Sequence, residues 1–198
     1  RVLAEGAYSA ALIPVFSGVV LNPKDEREAS DFVENTTSML LFATVVLTII
    51  FFFGMPYIIQ VLAPGFTDNK EAYELAVHFG KIIFPYIIFI SLAAHFASIN
   101  NVHERFAAGA FAPAILNISF ILSLFFLTPF VTTAGHALSY GVLIGGVLQF
   151  LYLYRAVLNF YRPRIILPVL NEKLKKFFKL FLPGVVAVSY THLTLPTK

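Results

Sequence analysis

Charged side chains are missing from most of this sequence in runs long enough to cross a bilayer, and that feature constrains the fold more than any motif. A helix needs about 20 mostly apolar residues to span a hydrocarbon core roughly 30 Å thick. The stretch from Thr37 to Ala63 is uncharged throughout. The stretch from Lys81 to Asn101 carries its only charge at its first residue, and none falls between Phe106 and Tyr154. Of the 198 residues, 58% are hydrophobic and 13% charged, with a mean hydropathy of +0.79. Soluble domains carry about 25% charged residues, so the expected fold is all-α, a polytopic transmembrane helical bundle.

The first span is entered through the acidic, cap-like stretch at Ser30 and Asp31 and stopped by the turn Pro64-Gly65. The second is preceded by amphipathic turns in which Leu75, Phe79 and Ile82 recur at helical spacing, so its helix is predicted to start near Asn69. The uncharged stretch from Phe106 to Tyr154 is too long for one crossing. Its interruptions at Thr128-Pro129 and Thr132 to Gly135 split it into spans near Ala107 to Phe130 and Leu138 to Leu158. A further helix is expected at the start, carrying Glu5, and another begins within Phe177 to Val188. The segment LNEKLKKFFKLF puts Leu170, Leu174, Phe177, Phe178 and Phe181 on one helical face and most of its lysines on the other, the pattern of a helix lying in the membrane interface.

Positive loops are retained in the cytoplasm. Taken alternately, the loops on one side collect Lys24, Arg27, Arg105, Arg155, Arg162, Arg164, Lys173, Lys175, Lys176 and Lys179, and those on the other only Lys70 and Lys81. The first side is therefore assigned to the cytoplasm. The net charge of +3 belongs to residues flanking apolar runs, which suits anionic headgroups and not nucleic acid. With no cysteine there is no thiolate nucleophile and no Cys-ligated metal.

Ionisable groups at membrane depth are costly and mark function by default. Glu5 is the leading candidate, with Arg1 four residues earlier on the same helical face. The pair either lines a polar cavity or stands at the surface. His95 lies deep in the second span, but no His, Asp or Glu falls at i+3 or i+4 to complete a metal face, so no metal site is predicted. No catalytic dyad or triad can be assembled, so the chain is not read as an enzyme, and no cofactor is expected. Pro85 and Pro113 inside the spans each remove a helical hydrogen bond and predict kinks. Gly141 and Gly145 form a small-xxx-small pair for close helix packing, and Asn117 and Gln149 are buried amides expected to find partners across helices.

The blocks AEGAYSAALIPVF (Ala4 to Phe16), LAPGF (Leu62 to Phe66), FPYIIFISLAA (Phe84 to Ala94), RFAAGAFAPAILNIS (Arg105 to Ser119) and GVLIGGVLQ (Gly141 to Gln149) occur in an order and spacing that resembles the MurJ (MviN) lipid II flippases of the multidrug/oligosaccharidyl-lipid/polysaccharide exporter superfamily. The resemblance implies an intact bundle of fourteen helices in two lobes around a cationic cavity. This chain would supply helices two to six and the start of seven, most of the N-terminal lobe. It implies alternating-access transport of the undecaprenyl-pyrophosphate-linked disaccharide-pentapeptide across the bacterial inner membrane, among membrane lipids and cell-wall synthesis proteins. In the family, the residues matching Arg1 and Glu5 contact the transport path, while Arg105 lies in a cytoplasmic turn with a structural or gating role.

The sequence departs from the family pattern at Asn100-Asn101, at His95 in place of a small or apolar residue, and at Gly109 in place of a proline. From Tyr190 it turns Thr-rich and polar. Residues 1–161 are thus read as a partial lobe, 162–189 as a basic interfacial linker and the start of the next span, and 190–198 as an assembly or reading-frame artefact. A related exporter of other lipid-linked oligosaccharides or drugs, or a non-transporting scaffold, remains the alternative. The reading frame upstream of Arg1 is expected to encode a first helix bearing arginines and an aspartate; sequencing the flanking DNA checks this, and a helix without them favours one of the alternatives.

Overall fold

The computed structural model describes residues 2–22, 27–66, 68–170, 172–181 and 183. Six α-helices follow in order: α1 (Val2–Leu21), α2 (Glu28–Leu62), α3 (Lys70–Ile83), α4 (Tyr86–Val102), α5 (Phe106–Leu127) and α6 (Ala134–Val157), with a further helical stretch over 172–181. Among the described residues there is no strand. The stretches Glu28–Leu62, Lys70–Val102, Phe106–Phe130 and Ala134–Val157 are long and apolar enough to span a membrane. Their outer faces carry large apolar side chains such as Phe53, Val61 and Phe125, each at least 74% exposed, which is tolerable in lipid and not in water. The chain is a multi-pass membrane protein.

Local chemistry explains the breaks. Asn69 caps α3, its side-chain oxygen accepting from the Ala72 N–H at 3.1 Å, where the amphipathic pattern placed the start. At Pro85 the span Lys70–Val102 is interrupted between α3 and α4, with the Phe84 backbone still helical. Pro85 lacks an N–H, and the bonds around it tighten to Ile87 N–H on Phe84 O and Ile88 N–H on Pro85 O. Pro113 stays inside α5, as Pro14 and Pro56 stay inside α1 and α2. Pro64 and Gly65 form the short 3-10 turn Pro64–Phe66 after α2. Between α4 and α5, Glu104 takes a left-handed φ of 59° while Arg105 N–H reaches Asn100 O at 2.9 Å and Glu104 N–H reaches Asn101 O at 3.1 Å, a Schellman closure made without glycine. Helix α6 begins at Ala134, four residues before the expected start, because Gly135 lies within its first turn: a Cβ there would come within 2.7 Å of Phe79 Cζ.

The chain divides into two compact units. One comprises Arg1–Leu40, Ser91–Ala110 and Leu153–Lys198, the other Leu41–Ile90 and Phe111–Tyr152. In the first, α1 turns Tyr8, Leu12, Val15, Phe16 and Val19 inward at three- and four-residue steps, with Phe16 stacked on Phe32 at 5.5 Å. In the second, α5 and α6 meet over small residues. A Cβ on Gly145 would lie 2.7 Å from Leu116 Cδ1 and 3.1 Å from Ser119 Cβ, and Gly141 faces Ser123. Gln149 is fully buried and its amide donates to Ala112 O at 2.6 Å, while its Oε1 has no partner. Asn117, expected to be buried, is exposed instead. The inward row of α5 is Ala112, Leu116, Ser119 and Ser123, and Asn117 sits one residue, about 100°, past Leu116.

Beyond α6 the chain turns over 158–160, runs without regular secondary structure to Leu170 and is pinned to α2. Asn35 pairs with the Val169 peptide in both directions: its Nδ2 donates to Val169 O at 2.6 Å and its Oδ1 accepts from Val169 N–H at 2.7 Å. Ser38 Oγ accepts from Ile166 N–H at 2.9 Å. In the following helical stretch, part of the apolar face packs on protein. Leu174 and Phe177 are buried, with Phe177 and Phe181 ring-packed on Tyr8, and Lys173 pairs with Glu28 at the start of α2. Leu170 falls outside that face, exposed at the end of the irregular segment.

Replacing Gly145 with valine is expected to destabilise the α5–α6 contact by about 1–3 kcal/mol, as overpacking does, read as a lower melting temperature of the intact protein in detergent.

Candidate functional site

Helix α2 is 35 residues long, about 50 Å at 1.5 Å per residue, well over the roughly 30 Å hydrocarbon core. It is therefore longer than a perpendicular crossing needs, and its N-terminal part carries the run Glu34-Asn35-Thr36-Thr37-Ser38. All but Glu34 of these five are buried. Away from water, each such group must find a partner within the protein.

His95 of α4 sits at the centre of the resulting seam. Fully buried, it shares one hydrogen bond through Nδ1 with the Tyr8 hydroxyl of α1 at 2.8 Å and another through Nε2 with the Thr37 hydroxyl of α2 at 2.9 Å, with Thr36 Oγ1 at 3.5 Å. Ser9 and Ser98 share a parallel bond at 2.8 Å between α1 and α4. One imidazole thus joins three helices. This is the interhelical hydrogen-bonding role open to a membrane histidine.

Near the start of α2, a cleft of about 310 Å³ is lined by Arg27, Ser30, Asp31, Glu34, Arg162 and Arg164. Three guanidinium groups face two carboxylates, leaving the lining with an excess of positive charge. Close to the α4–α5 turn, His103 stacks on Phe160 at 4.1 Å and shares a bond with the Tyr161 hydroxyl at 3.0 Å, while Arg105 lies over the same Phe160 ring at 4.8 Å. Burial, and then the Arg105 charge, hold the His103 imidazole below its ordinary range, and burial pushes the Tyr161 phenol up.

Of the two residues singled out for the transport path, Arg1 lies outside the described residues, and Glu5 is carried on α1 with its side chain outside them. The seam residues Tyr8, Ser9, Thr36, Thr37 and Ser98 escaped the sequence reading, which searched for charge. Their signal was present: a polar run in a long apolar helix, and a tyrosine and serine in register with the inward stripe of α1.

A family model described as lipid II flippase MurJ matches residues 1–198, and so takes in the stretch from Tyr190. The chain is 34% identical over 151 residues to the lipid II flippase MurJ of Burkholderia cenocepacia, covering 76% of this chain and 29% of that protein. It is 33% identical over 205 residues to the probable lipid II flippase MurJ of Rhizobium meliloti, covering 98% and 37%. It is 35% identical over 162 residues to that of Rhizobium tropici, covering 79% and 30%. The chain spans about a third of the length of these relatives.

Because the folded imidazole of His103 is held low, the unfolded chain takes up a proton more readily than the folded one as pH falls below about 6.5. Its contribution to stability is complete above that pH and is lost as pH drops through the lowered folded value. The melting temperature is expected to fall between pH 7.5 and pH 5 by more in the parent than in His103→Gln; equal slopes count against this account.

Proposed function

The chain belongs to the lipid II flippase MurJ family, and on that premise we propose that the intact protein moves the lipid-linked peptidoglycan precursor from the cytoplasmic to the outer leaflet of the bacterial inner membrane. The cargo in this reading is the undecaprenyl-pyrophosphate-linked disaccharide-pentapeptide, carried by alternating access, with this chain forming most of the N-terminal lobe. The observation that carries the proposal is the family match along the whole chain. It is supported by the cleft in which the guanidinium groups of Arg27, Arg162 and Arg164 outnumber the carboxylates of Asp31 and Glu34, since an anionic headgroup needs cationic partners.

Arg1 and Glu5 are proposed to line the path, and Arg105 to hold the cytoplasmic turn. Arg27, Arg162 and Arg164 come together in one cleft, which supports placing that end of the bundle in the cytoplasm. The protein acts as a transporter and not as a catalyst: bonds in the cargo are neither made nor broken. Cell-wall synthesis proteins that make and use the precursor are its natural neighbours.

The test uses cells depleted of their own flippase and a membrane-impermeant reagent that modifies only outer-leaflet precursor. The intact protein is expected to restore labelling, Glu5→Gln and Arg1→Ala to reduce it at least tenfold at equal expression, and the 198-residue piece alone to restore none. Transport of a different lipid-linked sugar or a drug in place of this precursor, or no transport by the folded intact protein, overturns the reading.

A further inference from the structure

The second unit holds an arrangement that flipping does not use. His78 of α3 and His136 in the first turn of α6 face one another with ring centres 5.2 Å apart and planes inclined by 54°. Two contacts hold His136, and the glycine beside it makes room for one of them. The Thr133 hydroxyl shares a bond with its Nδ1 at 2.9 Å, the Phe79 ring meets it edge-on at 4.9 Å, and Gly135 lets the start of α6 approach Phe79 more closely than any side chain would permit.

With Nδ1–H donating to Thr133, the Nε2 lone pair of His136 is left as a ligand. That is the outer-shell hydrogen bond by which metal-binding histidines are usually oriented. A tetrahedral ion about 2.0–2.1 Å from each imidazole nitrogen, with each ring centre roughly 1.1 Å further out, sets two ligating rings with their centres about 5 Å apart. The observed separation matches that spacing. Imidazole pairs suit zinc, copper and nickel, not magnesium or calcium. Among the described residues no third His, Asp or Glu converges on the pair, so such an ion keeps its remaining positions for water.

We propose that His78 and His136 form a two-histidine site for a late first-row divalent ion, bridging α3 to the start of α6. This goes beyond the transport reading and stands independently of it.

The experiment uses the intact protein in nanodiscs, with any histidine tag removed. Zn²⁺ affinity is read by competition with a chromophoric chelator, and Cu²⁺ ligation by electron paramagnetic resonance. The parent is expected to bind one more equivalent of Zn²⁺ than His78→Gln or His136→Gln. Each variant should weaken this site at least tenfold, and the double variant should show no further loss. The Cu²⁺ spectrum should show two nitrogen ligands in the parent and one in either single variant. Thr133→Val should weaken binding several-fold with both imidazoles still present. Because His78 is exposed and His136 only half-buried, the metal-free variants are expected to melt with the parent, and only the parent to gain melting temperature with Zn²⁺. Unchanged Zn²⁺ binding in both single variants, or a loss confined to one of them, overturns the proposal.

Discussion

A polar group in hydrocarbon has no water to turn to, and this requirement organises the structure more than apolar attraction does. Lipid tails are as apolar as leucine, so burying Leu12 or Phe96 between helices does little by itself to hold helices together. Close packing over small residues and hydrogen bonds between helices must supply the cohesion. Both are present, in separate units: Gly141 and Gly145 against Ser123, Ser119 and Leu116 in one, and His95 with Tyr8 and Thr37 in the other. Removing one member of the His95 group leaves its partner unsatisfied, which costs about 1–3 kcal/mol for a buried neutral group.

The polar groups divide by kind. Within the first unit the buried seam is built from hydroxyls, one imidazole and amides held by partners inside the protein, while charged side chains gather around the start of α2, where three guanidinium groups face two carboxylates. Uncharged groups can be buried at less electrostatic cost than fixed ions.

Helix positions were largely legible in the sequence, because length and charge-free runs answer directly to bilayer thickness; the Asn69 cap and the division of Phe106 to Tyr154 into two helices follow from that arithmetic. Facing was less legible. Asn117 and Gln149 look alike in sequence, yet one is exposed and the other buried, because the inward row of α5 depends on which small residues α6 presents. The facing of the linker is a related case. Its amphipathic face suits lipid and protein equally, and only the rings of Tyr8, Phe177 and Phe181 decide between them. Apart from His95, the polar seam was invisible to a search for ionisable residues, since hydroxyls become informative only once helix register places them on a common face.

The carboxamide of Asn35 acts on Val169 as one more peptide unit would, giving a strand-like pairing in which one partner is a side chain. A connector held in this way has little slack. A change in the chain at Val169 is therefore felt directly at Asn35 of α2. Because a carboxylate can accept but not donate, an aspartate at this one position would face the Val169 carbonyl with nothing to offer it and undo half of the pairing.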